Sequence, residues 1–180
     1  VHGSIRMPVK LKVLGSHNVN NALVALAVAQ YFGVELKMAV AALGQYTGVA
    51  MRQQITKKDG VIYIDDSYNA SPDSMKAGLS VLSQMPAEHR IALLADMLEL
   101  GENTREYHRQ VGEYAGQSNV DELLLYGELA AYIGYGAEQY VKNIRHFDTL
   151  DDIKKYLKNT LKPNMAVSVS YTHLTLPTKA

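Results

Sequence analysis

The sequence predicts an α/β protein with a mostly parallel, doubly wound sheet, and three observations carry that reading. From Val61 onward, short β-rich runs alternate with segments of helical periodicity, the pattern of strands joined by helical crossovers. Just before them, Gln53 to Lys57 and Val61 to Asp65 flank Lys58-Asp59-Gly60, and Asp-Gly between β-runs signals a hairpin. Finally, Val61 to Met75 passes from strand to polar loop to helix start. Ser71 serves as N-cap, Pro72 sits where a missing N–H costs nothing, and Asp73 is favourable in the first turn.

Composition sets the bounds. The chain has 180 residues, 47% of them hydrophobic, enough for one sizeable core and part of another. Its 18 basic and 18 acidic residues cancel, so neither nucleic acid nor an acidic lipid surface is an expected partner. With no cysteine there is no disulfide framework, thiol nucleophile or cysteine metal site. The longest apolar run, Ala22 to Ala29, is far too short for a membrane span. No basic segment followed by an apolar one opens the chain, so no signal peptide or membrane insertion is expected. A cytoplasmic location is the expectation.

In chain order, the alternation of Val9, Leu11 and Val13 predicts a strand over Val1 to Leu14. Gly15 and Ser16 break it, and an Asn-rich turn leads into a helix from about Asn20 to Phe32. That helix is apolar almost all round, which predicts burial on several faces; Gly33 suits its C′ position. A short helix over Lys37 to Leu43 ends at Gly44, and Gln45 to Met51, with Gly48 inside it, reads as a linker. After the hairpin come a helix over Pro72 to Met85, a strand over Arg90 to Ala95, and a helix over Thr104 to Ser118 with Tyr107, Val111, Tyr114 and Ala115 on one face. A strand over Glu122 to Tyr126, a helix over Leu129 to Ala137 and a weaker strand over Asn143 to Phe147 follow. Thr149 to Asp152 opens a helix reaching Leu161 with a capping-box-like start, and Met165 to Val169 is the last strand. There is no internal repeat.

In an open α/β sheet, ligands bind outside the carboxyl ends of the strands. Asp65, Asp66, Tyr68 and Asn69 would stand there after the first parallel strand, and Asp96 and Glu99 after the next. Each of these residues is also an ordinary turn or capping type. Asp96 and Glu99 could form a general acid–base pair, but solvated or capping roles are the commoner outcome. His108 falls mid-helix, where a structural histidine is expected. Asn18 and Asn21 are good cap and turn residues, and an Asn amide also offers the donor and acceptor that an adenine edge requires. Arg52 is either a solvated charge or a guanidinium suited to bidentate phosphate contact. No zinc-like spacing or Ser-His-Asp arrangement can be proposed, and no catalytic residue is assigned. Nor is there a Gly-x-x-x-x-Gly-Lys-[Ser/Thr] phosphate loop.

Three stretches, in order, resemble the Mur ligase family: Gly15-Ser16-His17-Asn18-Val19-Asn20-Asn21-Ala22, Asp65-Asp66-Ser67-Tyr68-Asn69-Ala70-Ser71-Pro72-Asp73-Ser74-Met75, and Ala95-Asp96-Met97-Leu98-Glu99-Leu100-Gly101-Glu102. The resemblance implies that residues 1–47 are the last elements of an incomplete ATPase domain and 48–167 a Rossmann-like C-terminal domain. It further implies that Asn18 and Asn21 lie against the adenine of ATP and that Arg52 approaches the phosphates. Asp66 would hold the ribose hydroxyls or orient its neighbours, while Tyr68 and Asn69 flank the adenine. The phosphate loop, the magnesium ligands and a modified lysine would lie upstream of Val1, so no metal ligand is expected in this chain.

The activity implied is that of an ATP-dependent amide ligase joining D-alanyl-D-alanine to a UDP-N-acetylmuramoyl-tripeptide through an acyl phosphate, as a monomer. Two other readings stay open. Another family member adding a single amino acid would share the fold and the ATP site, although the Tyr68 to Pro72 loop differs from the His-containing loop associated with the ligase adding the third residue. A non-catalytic Rossmann-like binding module would fit the α/β pattern equally well. The segment 168–180 is expected to stand apart. It lacks the Lys-Gly-Ser-Arg-like turn implied after the last strand and resembles translated sequencing-adapter read-through.

Overall fold

The computed structural model describes residues 6–171. The chain forms two compact units, Val1–Gly48 and Val49–Ala180.

The first unit is helical. Helix α1 (Ser16–Tyr31) starts four residues earlier than the Asn-rich turn predicted, because Gly15, at φ 95°, swings the chain straight into it. Asn18 and Asn21 therefore lie within the helix and neither is its N-cap. Gly33 closes the helix as expected: its N–H reaches the Gln30 carbonyl, and that of Val34 reaches Ala29. Helix α2 (Leu36–Gln45) follows. Two expectations fail here. Residues 6–14 contain no strand; Val9, Leu11 and Val13 do alternate with exposed neighbours, but the extended segment has no ladder partner. Burial of α1 on several faces is not observed either. Only Ala22 is buried, while Leu23 and Val24 are 60% and 64% exposed. A helix apolar all round needs neighbours on every side, and the described residues of this unit supply one further helix.

Among the described residues, the second unit carries six strands in the order β1-β2-β6-β3-β4-β5. Strands β1 (Gln54–Lys58) and β2 (Val61–Asp65) form the antiparallel hairpin. Asp59 and Gly60 are its two loop residues, at φ 52° and 78°, the left-handed pair a tight primed turn requires. This shorter loop frees Lys58 to pair with Val61, one residue beyond the predicted strand end. Strands β3 (His89–Ala95), β4 (Glu122–Tyr126), β5 (Asn143–Phe147) and β6 (Met165–Ser170) are parallel to β2 and to one another.

Helices α3 (Pro72–Ser83), α4 (Thr104–Gln117) and α5 (Ala130–Ala137) cover one face with Ile64, Ala92, Leu94, Leu123 and Leu125. Helix α6 (Leu150–Thr160) covers the other face with Ile91, Leu93, Leu124, Val167 and Val169. The division follows from topology. The chain crosses the sheet in one direction from β2 to β5 and then returns to insert β6 between β2 and β3, and uniform handedness puts the returning helix on the opposite face. Helix α3 starts as predicted, with the Ser71 hydroxyl accepting from the Ser74 N–H in a capping box and Pro72 in the first turn.

Two details differ from expectation. The buried face of α4 is His108, Val111, Gly112 and Ala115, with Tyr107 exposed. Gly112 and Gly136 explain the rotation: a Cβ on either would collide with the facing helix backbone, at Ile133 and Arg109 respectively. The two helices approach through these glycines. The last strand also continues past Val169. Ser168, Val169 and Ser170 are buried and paired with β2, β3 or both, so the sheet claims residues beyond 167. Residues 172–180 lie outside the described residues.

Candidate functional site

Strands β2, β6 and β3 are neighbours, so their carboxyl ends bring together the Asp65–Ser71 loop, Tyr171 and Asp96. Asp65 organises the loop locally. Its Oδ1 accepts from the Ser67 N–H at 3.1 Å and from the Ser67 hydroxyl at 2.5 Å, a side-chain-closed turn. Burial pushes the nearby Tyr171 phenol up, and the Asp65 charge adds to that shift.

Asp66 is the buried acid of this edge, with 6% of its surface exposed. Its N–H donates to the Val169 carbonyl at 2.9 Å, extending the β2–β6 ladder by one bond. Oδ1 accepts from the Gln53 N–H at 3.2 Å. Oδ2 is buried without a hydrogen-bond partner and faces α3, where a Cβ on Gly78 would lie 3.4 Å from it. Desolvation pushes this carboxyl up to about 6; hydrogen bonding from Gln53 opposes the shift, the Asp65 charge adds to it and the Arg52 charge lowers it. The side-chain oxygens of Gln53 and Ser170 are likewise buried and unpartnered.

Arg52 lies on a backbone turn between Met51 at φ 62° and Gln53 at φ 48°. Two hydrogen bonds tie this turn to the loop after β2: Gln53 to Asp66, and the Tyr68 N–H to the Met51 carbonyl at 3.0 Å. The Arg52 guanidinium carbon stands 4.1 Å from the centroid of the exposed Tyr68 ring, well within cation–π range. Arg52, Asp66 and Tyr68, separate predictions from sequence, thus form one cluster. Asn69 is exposed beside them, and its carbonyl accepts from the Ser74 hydroxyl at 3.3 Å.

The other two predicted residues belong to the first unit. Asn18 Nδ2 donates to the Leu14 carbonyl at 2.7 Å, and Asn21 Nδ2 donates weakly to Asn18 Oδ1 at 3.4 Å. Asn21 is exposed and keeps its carbonyl oxygen free of any described bond.

The possible acid–base pair resolves differently. Asp96 Oδ1 accepts from the Ala130 N–H at 2.7 Å, so it caps α5 across the strand ends. Glu99 is exposed on a left-handed backbone at φ 61°. His108 is fully buried, with Nε2 accepting from the Met97 N–H at 2.9 Å and Nδ1 2.7 Å from the Thr104 carbonyl, the structural histidine expected. Among the described residues no group of three or more His, Asp or Glu could hold a metal ion.

Sequence reasoning missed Gln53, which it placed in the strand, and set Ser168-Val169-Ser170 apart from the domain even though it ran the last strand to Val169. A visible signal for the latter was serine at two inward positions of an otherwise apolar central strand.

Comparison with known proteins bears on the family and the fold. The model described as Mur ligase, glutamate ligase domain, matches residues 51–170. A UDP-N-acetylmuramoyl-tripeptide–D-alanyl-D-alanine ligase of Bacillus subtilis is 34% identical over 152 residues, which cover 82% of this chain and 33% of that protein. The Haemophilus influenzae protein of the same name is 36% identical over 166 residues, covering 89% and 35%. Among solved structures, MurF from Acinetobacter baumannii superimposes with a TM-score of 0.81 at 27% identity, covering 91% of this chain and 36% of that one. MurF ligase from Thermotoga maritima, solved in complex with ADP, gives 0.75 at 25% identity, covering 88% and 35%. The chain therefore spans about a third of the length of the curated relatives it matches. With the family model covering the sheet, the Arg52 turn and the Asp66 loop, the chain belongs to the Mur ligase family.

Proposed function

We propose that this chain is part of an ATP-dependent ligase that joins D-alanyl-D-alanine to a UDP-N-acetylmuramoyl-tripeptide in the cytoplasm during peptidoglycan precursor synthesis, acting as a monomer. The observation that carries the reading is that relatives bearing this activity in their name are 34% and 36% identical over most of the chain. The ADP complex of the Thermotoga maritima protein supports ATP as the nucleotide.

The proposed reaction phosphorylates the tripeptide carboxylate with the γ-phosphate of ATP. The dipeptide amine then attacks the acyl carbon, and phosphate leaves from the tetrahedral intermediate. Magnesium would supply charge neutralisation on the phosphates, held by residues outside those described. Chemistry of this kind depends on placed positive charge rather than on a protein nucleophile. Arg52 is the residue proposed to meet the phosphates. In the first unit, Asn18 and Asn21 would read the adenine edge, with the free Asn21 carbonyl oxygen available as acceptor. In the second, Tyr68 and Asn69 would contact the base and Asp66 the ribose or its own neighbours.

The test is phosphate release by the full-length ligase containing this segment, supplied with ATP, magnesium and the UDP-linked tripeptide. Release is expected to require D-alanyl-D-alanine. Release driven instead by a single free amino acid would assign the chain to another member of the family.

A further inference from the structure

We propose that Asp66 and Tyr68 are positioning residues that hold the Arg52 guanidinium ready for a phosphate group, Asp66 by fixing the turn from Met51 to Gln53 and Tyr68 by stacking under the guanidinium. The inference rests on the phosphate-binding reading of Arg52 above and chooses between the two roles left open for Asp66.

The backbone is the first support. Met51 and Gln53, neither of them glycine, both occupy the left-handed region, at φ 62° and 48°, on the two sides of Arg52. Such residues persist only where the surroundings over-determine them. Here two hydrogen bonds do so, one on each side of the arginine: Tyr68 N–H to Met51 C=O, and Gln53 N–H to Asp66 Oδ1.

The Asp66 side chain is the second support. It is 6% exposed, and the Gln53 amide is the one hydrogen bond described for it. A carboxylate buried so deeply is poorly placed to meet a sugar hydroxyl directly, yet its engaged oxygen grips the turn that carries Arg52. Burial with Oδ2 left unpartnered is a cost that a solvated acid would avoid. Tyr68 is the third support. The residue is 55% exposed, so it adds little to the core, but its ring centroid lies 4.1 Å from the guanidinium carbon. Such a contact holds the cation without neutralising it, so the guanidinium charge stays available to a bidentate anion.

The test uses this chain with uniform nitrogen-15 labelling and inorganic tripolyphosphate as the probe. Without the probe, the Arg52 side-chain Nε–H signal is expected to be displaced by the ring current of Tyr68. Tyr68→Phe should keep that displacement and Tyr68→Leu should abolish it. Asp66→Ala should also abolish it, whereas Asp66→Asn, which retains an oxygen for the Gln53 amide, should restore it. Native amide shifts at Met97 in each variant show that the fold is intact. With the probe, Tyr68→Leu and Asp66→Ala should weaken binding about twofold to fivefold, the range an exposed cation–π contact supplies, and Arg52→Ala should weaken it at least as much. An Arg52 signal unchanged in Asp66→Ala or Tyr68→Leu overturns the positioning roles. If those signals respond as expected but Arg52→Ala binds tripolyphosphate like the wild type, the positioning stands and the phosphate reading of Arg52 falls.

Discussion

The imidazole of His108 is clasped between the Met97 N–H, 2.9 Å from Nε2, and the Thr104 carbonyl, 2.7 Å from Nδ1. Because Nε2 accepts, the ring proton sits on Nδ1 and is donated to Thr104. One buried side chain thereby ties the segment leaving β3 to the first turn of α4, and so sets the loop beside Asp96 at the carboxyl edge of the sheet.

Removing that clasp should be costly. His108→Ala leaves the buried Met97 amide without an acceptor and opens a cavity, so a loss of about 3 kcal/mol is expected. Urea unfolding of the two proteins measures it. A loss below about 1 kcal/mol would mean that water or a local shift replaces the imidazole.

The crossing of α4 and α5 is equally intolerant. A methyl group at Gly112 would overlap the Ile133 carbonyl, which is backbone and cannot rotate away. Gly112→Ala is therefore expected to destabilise by about 1–3 kcal/mol, against the gain of up to about 1 kcal/mol that the same change brings to an open helix site. Thermal unfolding decides the sign. A rise in Tm would show that the helices separate without penalty.

Much of this was legible in the sequence, and the pattern of what was not has physical causes. Elements whose boundaries are set by local chemistry were readable: the Ser71-Pro72 helix start, the Asp59-Gly60 turn, the Thr149 cap and the alternation of strands with helices. Three readings needed information from outside the local sequence. The apolar surface of α1 indicates a wish for neighbours, not their presence, and Leu23 and Val24 are exposed. The inward face of α4 depends on Gly136, a residue of another helix. Asp66, Arg52 and Tyr68 were each readable as ligand-edge residues, but their clustering depends on the left-handed backbone at Met51 and Gln53. Neither residue type announces that conformation. For Asn18 and Asn21 the capping alternative does not apply, because Gly15 takes the N-cap place that Asn favours.

By itself, this chain should release no phosphate from ATP. Its sequence contains no phosphate-cradling Gly-Lys-[Ser/Thr] loop, and among the described residues no group of three or more His, Asp or Glu could hold a metal ion. Purified chain with ATP, magnesium and both substrates, assayed for inorganic phosphate, is expected to match the buffer blank. Turnover would contradict the reading of the chain as part of a larger ligase.

Asn21 gives a test in which stability and binding move in opposite directions. It lies inside α1, is not the N-cap, and makes one long side-chain bond of 3.4 Å. As a purely helical residue it would gain a few tenths of a kcal/mol on replacement by alanine. As an adenine contact it would lose about 1–3 kcal/mol of binding. In the full-length ligase, Asn21→Ala is expected to raise KM for ATP about tenfold without lowering Tm, and to leave KM for D-alanyl-D-alanine unchanged. An unchanged KM for ATP would remove Asn21 from the nucleotide site.

Asp66 should leave a signature in the pH dependence of stability. Desolvation raises its carboxyl from the ordinary value of 3.8 to about 6, so the folded chain holds the proton more tightly than the unfolded chain does. Between these values the folded state binds more protons, and stability must fall as pH rises from about 4 to about 6 and level off above that. The whole effect is at most about 3 kcal/mol, from a shift of roughly two pH units. Other carboxylates titrate in the same range, so the quantity to measure is the difference between the wild type and Asp66→Asn, by urea unfolding at intervals from pH 4 to pH 7. Asparagine cannot ionise, yet it keeps an oxygen for the Gln53 amide, so the variant should gain on the wild type steadily across the window and hold that gain at pH 7. Parallel curves would place the Asp66 carboxyl near its ordinary value, and the buried, unpartnered state of Oδ2 would then have to be relieved in solution.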